Sequence, residues 1–139
     1  MSTFTLALTS IVARVFEGAS LIGHRSFAGG VSAQISALEC RLPDGDVVEV
    51  VLRQEGGADW KQLGADTVAT EFALQSALAA AKLPVPKPLL LDVSGKTLEG
   101  PFLVMTLMPG DTVVAKGHEL AAAEQMADFL VALHALDAQ

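Results

Sequence analysis

Four places in this 139-residue chain carry residue types suited to chemistry. Arg53 ends the most β-branched stretch of the sequence, Val47 to Arg53. Side chains alternate along a strand, so Arg53 shares a face with Glu49 and Val51, while Val48, Val50 and Leu52 take the other. A cation ending an apolar strand can bind a phosphate in a cleft, or can simply reach water from the rim. Glu71 falls inside a later helical segment. From a helix packed on the sheet, its carboxylate can face a strand cation and fix that cation's direction for phosphate. A solvated surface Glu is the plain alternative. Ala28-Gly29-Gly30 separates two strand-like stretches, and glycines let a backbone approach a ligand and present N–H groups to phosphate. No Gly-Lys-Ser/Thr follows and no Gly-x-Gly-x-x-Gly is present, so alone the pair reads as a structural hairpin. Finally, the apolar run from Pro101 breaks abruptly at Met108-Pro109-Gly110. Such a break frees backbone N–H and C=O groups that a flat heterocycle can use; a strand running into a loop is the alternative.

The elements that must position these residues follow from periodicity. Leu8, Ile11, Val12, Val15 and Phe16 form one face of a short amphipathic helix, starting near Thr9 or Ser10 and closed by Gly18. Strands are expected over Leu21–Phe27, Ser32–Leu42 and Val47–Arg53, the last two joined by the tight turn Pro43-Asp44-Gly45-Asp46. Gln54 to Gly64 reads as a loop. Ala65–Lys82 is the longest good helix by propensity, and Pro84, Pro86 and Pro88 end it. Further strands are expected at Leu89–Val93 and Phe102–Leu107, and a last helix at about His118–Leu136 with Met126, Phe129, Leu130, Leu133 and Leu136 on one face. The order is helix, three strands, helix, two strands, helix. It implies an α+β fold whose strands form an antiparallel meander, with the long helix over one face.

Composition narrows the function classes. Apolar residues make up 51% and charged residues 18% of the chain, which supports one domain with a buried core. The formal charge is −7, and no Lys/Arg cluster offsets it, so nucleic acid and anionic membranes are poor partners. Charges interrupt the most apolar stretch before the ~20 residues a span requires. The first residues lack a basic signal-peptide region, and the cytoplasm is the expected compartment. A single cysteine, Cys40, excludes an intrachain disulfide and a multi-Cys zinc site.

Taken together in order and spacing, these pieces resemble the amino-terminal lobe of the aminoglycoside phosphotransferase family, small-molecule kinases with a protein-kinase-like fold. The matching segments are Phe27–Ser32, Val50–Arg53, Glu71 in its helix, Leu83–Pro88, Pro101–Gly110 and Leu130–Asp137. The resemblance implies a five-stranded antiparallel sheet with a covering helix, flanked by an N-terminal and a C-terminal helix. It implies ATP as the cofactor and a small-molecule acceptor. Gly29, Gly30 and Ser32 would lie in the phosphate-covering hairpin, although Ala33 stands where asparagine is frequent. Arg53 would replace the usual lysine on the nucleotide phosphates, with Glu71 as its partner. Val51 would touch the adenine ring and Met105 the back of the pocket. Thr106 C=O and Met108 N–H would bind the adenine edge, leaving both side chains free to vary. His134 reads as a packed or capping histidine rather than a base.

The family's H-x-D-x-x-x-x-N segment and later metal-binding Asp, which supply the catalytic Asp and the Mg²⁺ ligands, have no match in this chain. Residues 1–139 therefore read as one domain, a kinase-like lobe over about 20–110, with the last helix beginning a lobe that is missing. On this reading the chain is the ATP-binding lobe of a phosphotransferase and is inactive alone. Removing Arg53 is expected to weaken nucleotide binding with little change in stability. A second reading is a non-catalytic interaction domain that forms a homodimer or binds a partner through its last helix. A third is an unrelated α+β domain, which a structure lacking the sheet with Glu71 facing Arg53 would favour.

Overall fold

The computed structural model describes residues 1–27, 33–56, 65–110 and 113–136. Its elements are α1 (Thr3–Val15), β1 (Ser20–Ser26), β2 (Ala33–Arg41), β3 (Val47–Glu55), α2 (Ala65–Ala80), β4 (Pro88–Asp92), β5 (Phe102–Thr106) and α3 (Glu119–His134).

Helix α1 begins earlier than its apolar face suggests. Ser2 takes the N-cap: its Oγ accepts the Thr5 N–H at 3.1 Å. Thr9, one of the expected starters, instead donates its hydroxyl to the Thr5 carbonyl inside the helix at 2.9 Å. The predicted stripe holds, with Leu8, Ile11 and Val12 fully buried and Val15 and Phe16 packed at its margin. Past the helix, Gly18 adopts φ +78°, and a Cβ there would meet the Pro43 ring at 3.0 Å.

The sheet has five antiparallel strands in the order β1-β2-β3-β5-β4, so it is not the simple meander expected. β5 inserts between β3 and β4. Its Phe102, Leu103 and Val104 are buried on both faces, which suits a central strand. β4 opens with Pro88 and is only half-buried, which suits the edge. The β2–β3 hairpin closes through the predicted turn: Gly45 N–H donates to the Leu42 carbonyl, and Asp46 N–H to the Asp44 carboxylate, both at 2.9 Å.

Each face has its own helix. Leu38, Cys40, Val50, Leu52, Phe102 and Val104 lie on one face and cluster with the α1 stripe. The long helix α2 packs on β4 and β5, and its Glu71 reaches Arg53 on the opposite face. A covering role expected of α2 alone is thus shared with α1. Among the described residues no helix is long and apolar enough to cross a membrane.

Two local devices fix the frame around the sheet. Lys82 sits at φ +62° just past α2. There its N–H donates to Ala79 and the Leu83 N–H to Leu78, closing the helix with a Schellman pair. At the end of β4, Asp92 is 7% exposed and accepts from Arg14 at 2.7 Å, from the Ser94 hydroxyl at 2.6 Å and from the Thr97 hydroxyl at 3.1 Å. The Ser94 N–H adds a fourth bond at 2.9 Å. Burial alone would favour a protonated Asp92. The bonds from Ser94, Arg14 and Thr97 outweigh it and hold the carboxyl well below the usual carboxylate range. This hub ties α1 to the β4–β5 connection.

Candidate functional site

Strand β3 presents Arg53 because alternation holds along its whole length. Val50 and Leu52 point into the α1 core, and Val51 and Arg53 point the other way. The guanidinium is 13% exposed, so it lies inside the fold rather than at a wet rim. Its Nε stands 3.0 Å from Glu71 Oε2, as the sequence predicts. The sheet and the facing pair whose absence would have favoured an unrelated domain are both present.

A second carboxylate is present that the sequence reading missed. Arg53 Nη1 donates to Glu55 Oε2 at 3.1 Å, and Glu55 is 16% exposed. The two contacts differ in quality. The Glu55 contact is an aligned hydrogen bond. The Glu71 contact is close but misaligned, and Glu71 Oε2 is a buried acceptor with no hydrogen bond; Gln75 Oε1, one turn along α2, is buried and unpartnered as well. The signal for Glu55 was available. It lies two residues after Arg53, so alternation puts both on one face. The composition of Gln54 to Gly64 reads as loop and hides it, whereas β3 runs on to Glu55. That extension is held by the Gln54 amide on the Glu99 carbonyl at 2.7 Å and the Glu55 N–H on the Pro101 carbonyl at 2.9 Å.

Beside the ion pair the register lays out an apolar floor. Ala37, Val51 and Met105 stand opposite one another across β2, β3 and β5, one row from Arg53, which lies between Ile35 and Leu103. Val51 retains only 6% exposure. At the end of β5 the chain leaves the sheet. Thr106 exchanges two bonds with Lys87: its N–H donates to the Lys87 carbonyl, and its hydroxyl accepts the Lys87 N–H, both at 2.9 Å. The Thr106 side chain, expected to be free to vary, thus holds the start of β4. Met108 is 44% exposed, and Gly110 takes φ +132°.

Gly29, Gly30 and Ser32 lie outside the described residues. His134 ends α3 with an exposed side chain, not a packed one, and no residue of α3 is buried. A cleft of about 390 Å³ opens between the end of α2 and Pro88, lined by Ser76, Ala79, Ala80 and Lys87. It includes none of the candidate residues. Among the described residues no three His, Cys, Asp or Glu side chains gather as a metal site.

The fold is an antiparallel five-stranded lobe whose central-strand cation meets a helix carboxylate. Comparison with known proteins gives the class, the kinase-like phosphotransferases. The model of the phosphotransferase enzyme family matches residues 27–139, and the chain belongs to that family. A crystal structure from Ralstonia eutropha JMP134, of a protein classed as an aminoglycoside phosphotransferase, superposes with a TM-score of 0.70 at 20% identity. The match covers 96% of this chain and 38% of that one, so the chain spans little over a third of that relative's length. No curated protein matches.

Proposed function

We propose that this chain is the nucleotide-binding lobe of a phosphotransferase that moves the γ-phosphate of ATP to a hydroxyl of a small molecule. The observation that carries the reading is Arg53, largely buried beside Glu71 and one row from the Ala37–Val51–Met105 floor. The floor takes the adenine, and the exit of β5 at Thr106 and Met108 offers backbone groups to its edge. Arg53 meets the phosphates, where a guanidinium fork suits oxyanions better than a point charge. Family membership supports both steps.

Mg²⁺, when bound, neutralises charge on the transferring phosphates. The described residues gather no carboxylate set suited to it. We assign its ligands, and the Asp that orients the attacking hydroxyl, to a carboxy-terminal lobe beyond Gln139. The 139 residues then bind ATP weakly, because they form one wall of a cleft, and transfer nothing. The test is a transfer assay on the 139-residue chain with ATP, Mg²⁺ and a panel of amino-sugar, sugar and amino-alcohol acceptors. No acceptor-dependent phosphorylation is expected, and turnover by this chain alone would overturn the reading. The coding frame past Gln139 gives an independent check, since it should contain His-x-Asp-x-x-x-x-Asn and a later metal-binding Asp.

One observation favours the second reading, an interaction domain. Helix α3 leaves Leu120 74%, Met126 67% and Val131 71% exposed. Sedimentation velocity decides it. A dimer that Met126→Glu disperses supports that reading, and a monomer at high concentration counts against it.

A further inference from the structure

Arg53 has one guanidinium and two carboxylate neighbours, and its aligned hydrogen bond goes to Glu55 rather than to Glu71. Glu55 takes Nη1 at 3.1 Å, on the same strand face, with both side chains more than four-fifths buried. Glu71 lies 3.0 Å from Nε but receives no hydrogen bond, and its Oε2 is buried without one. The site therefore carries two negative charges around one positive, a net charge that repels a phosphate. It also holds an under-satisfied acceptor that a turned guanidinium would satisfy.

We propose that Glu55 is a specificity-determining residue that parks Arg53: it occupies the N–H that a nucleotide phosphate needs, and binding requires the exchange of one oxyanion for the other. As the fork leaves Glu55, Nε is free to align on Glu71, which offsets part of the cost of the exchange. The partner is a polyphosphate group. A nucleoside without phosphates gains nothing from the exchange and does not feel Glu55. The inference rests on the reading that Arg53 meets nucleotide phosphate.

The test compares ATP with adenosine as probes, each titrated into the ¹⁵N-labelled 139-residue chain and followed by amide shifts. Glu55→Gln removes the competing charge and keeps the shape. Glu55→Thr is a second variant, β-branched and suited to a strand should the first fold poorly. The inference expects ATP to bind each variant about tenfold more tightly than wild type, the size of one charge-assisted hydrogen bond, with adenosine unchanged. A purely structural role for Glu55 would move both probes together. If wild type binds ATP and the ATP-to-adenosine ratio stays the same or falls in the variants, the inference is wrong and the nucleotide reading stands. If neither probe binds any of the three proteins, the nucleotide reading fails and takes the inference with it.

Discussion

Glu71 on α2 and Arg53 on β3 stand 3.0 Å apart across the packing of helix on sheet. That pair joins the two elements. The cation belongs to a central strand, flanked by β2 and β5, and the carboxylate to a helix that also packs on β4 and β5. A shift of α2 along the sheet would break the contact. On the proposed function, phosphate affinity and the seating of α2 are linked through one guanidinium.

The link changes what the loss of Arg53 should do. Surface logic predicts little effect on stability. The structure instead surrounds Arg53 with Glu55 and Glu71, which would be left facing each other. Arg53→Ala should lower unfolding stability by about 2 kcal/mol, less than for a fully buried pair because Glu71 is partly wet. It should also weaken ATP binding. Urea melts at two salt concentrations check it; an unchanged midpoint would mean that Arg53 is a rim residue.

Asp92 gives a pH-dependent prediction. Its carboxyl titrates far lower in the fold than the value of about 3.9 it takes in an unfolded chain. Its contribution is then present above about pH 4 and lost as the pH falls through that value toward the folded one. Asp92→Asn should cost about 2 kcal/mol at neutral pH and progressively less below pH 4. Thermal melts of both proteins from pH 7 to pH 3 test the convergence. A gap that stays constant would show that the Asp92 charge does not matter.

Lys82 occupies the left-handed position that closes α2. A side chain there is strained by about 1–2 kcal/mol, part of which glycine recovers and part of which its freer unfolded chain takes back. Lys82→Gly should therefore raise stability by about 0.5–1 kcal/mol. A lower melting midpoint would show that the lysine side chain makes a contact worth more than the strain.

Cys40 is fully buried in the α1 core. Burial pushes its thiol up from the ordinary range, and the charge of Glu39 adds to the shift. The thiol should react with an aromatic disulfide reagent only as the chain unfolds. Rapid labelling of the native protein would place Cys40 outside the core.

Much of this was legible in the residue pattern. Alternation separated Val50 and Leu52 from Val51 and Arg53, and the i, i+3, i+4 stripe found the buried face of α1. What escaped depended on competition between distant segments. The insertion of β5 between β3 and β4 follows from which strand buries both faces, a property of the assembled sheet. Glu55 escaped because the end of β3 is held by carbonyls of Glu99 and Pro101, far away in sequence. The Asp92 hub joins Arg14 to a turn that local patterns do not connect with it.

The proposed function requires this lobe to receive a nucleotide at the Arg53 face. The most direct measurement is an amide-shift map of the ¹⁵N-labelled chain titrated with ATP. Saturable shifts are expected at Val51, Arg53, Met105, Thr106 and Met108, weakened by Arg53→Ala. No saturable shift, or shifts confined to α3, would contradict it.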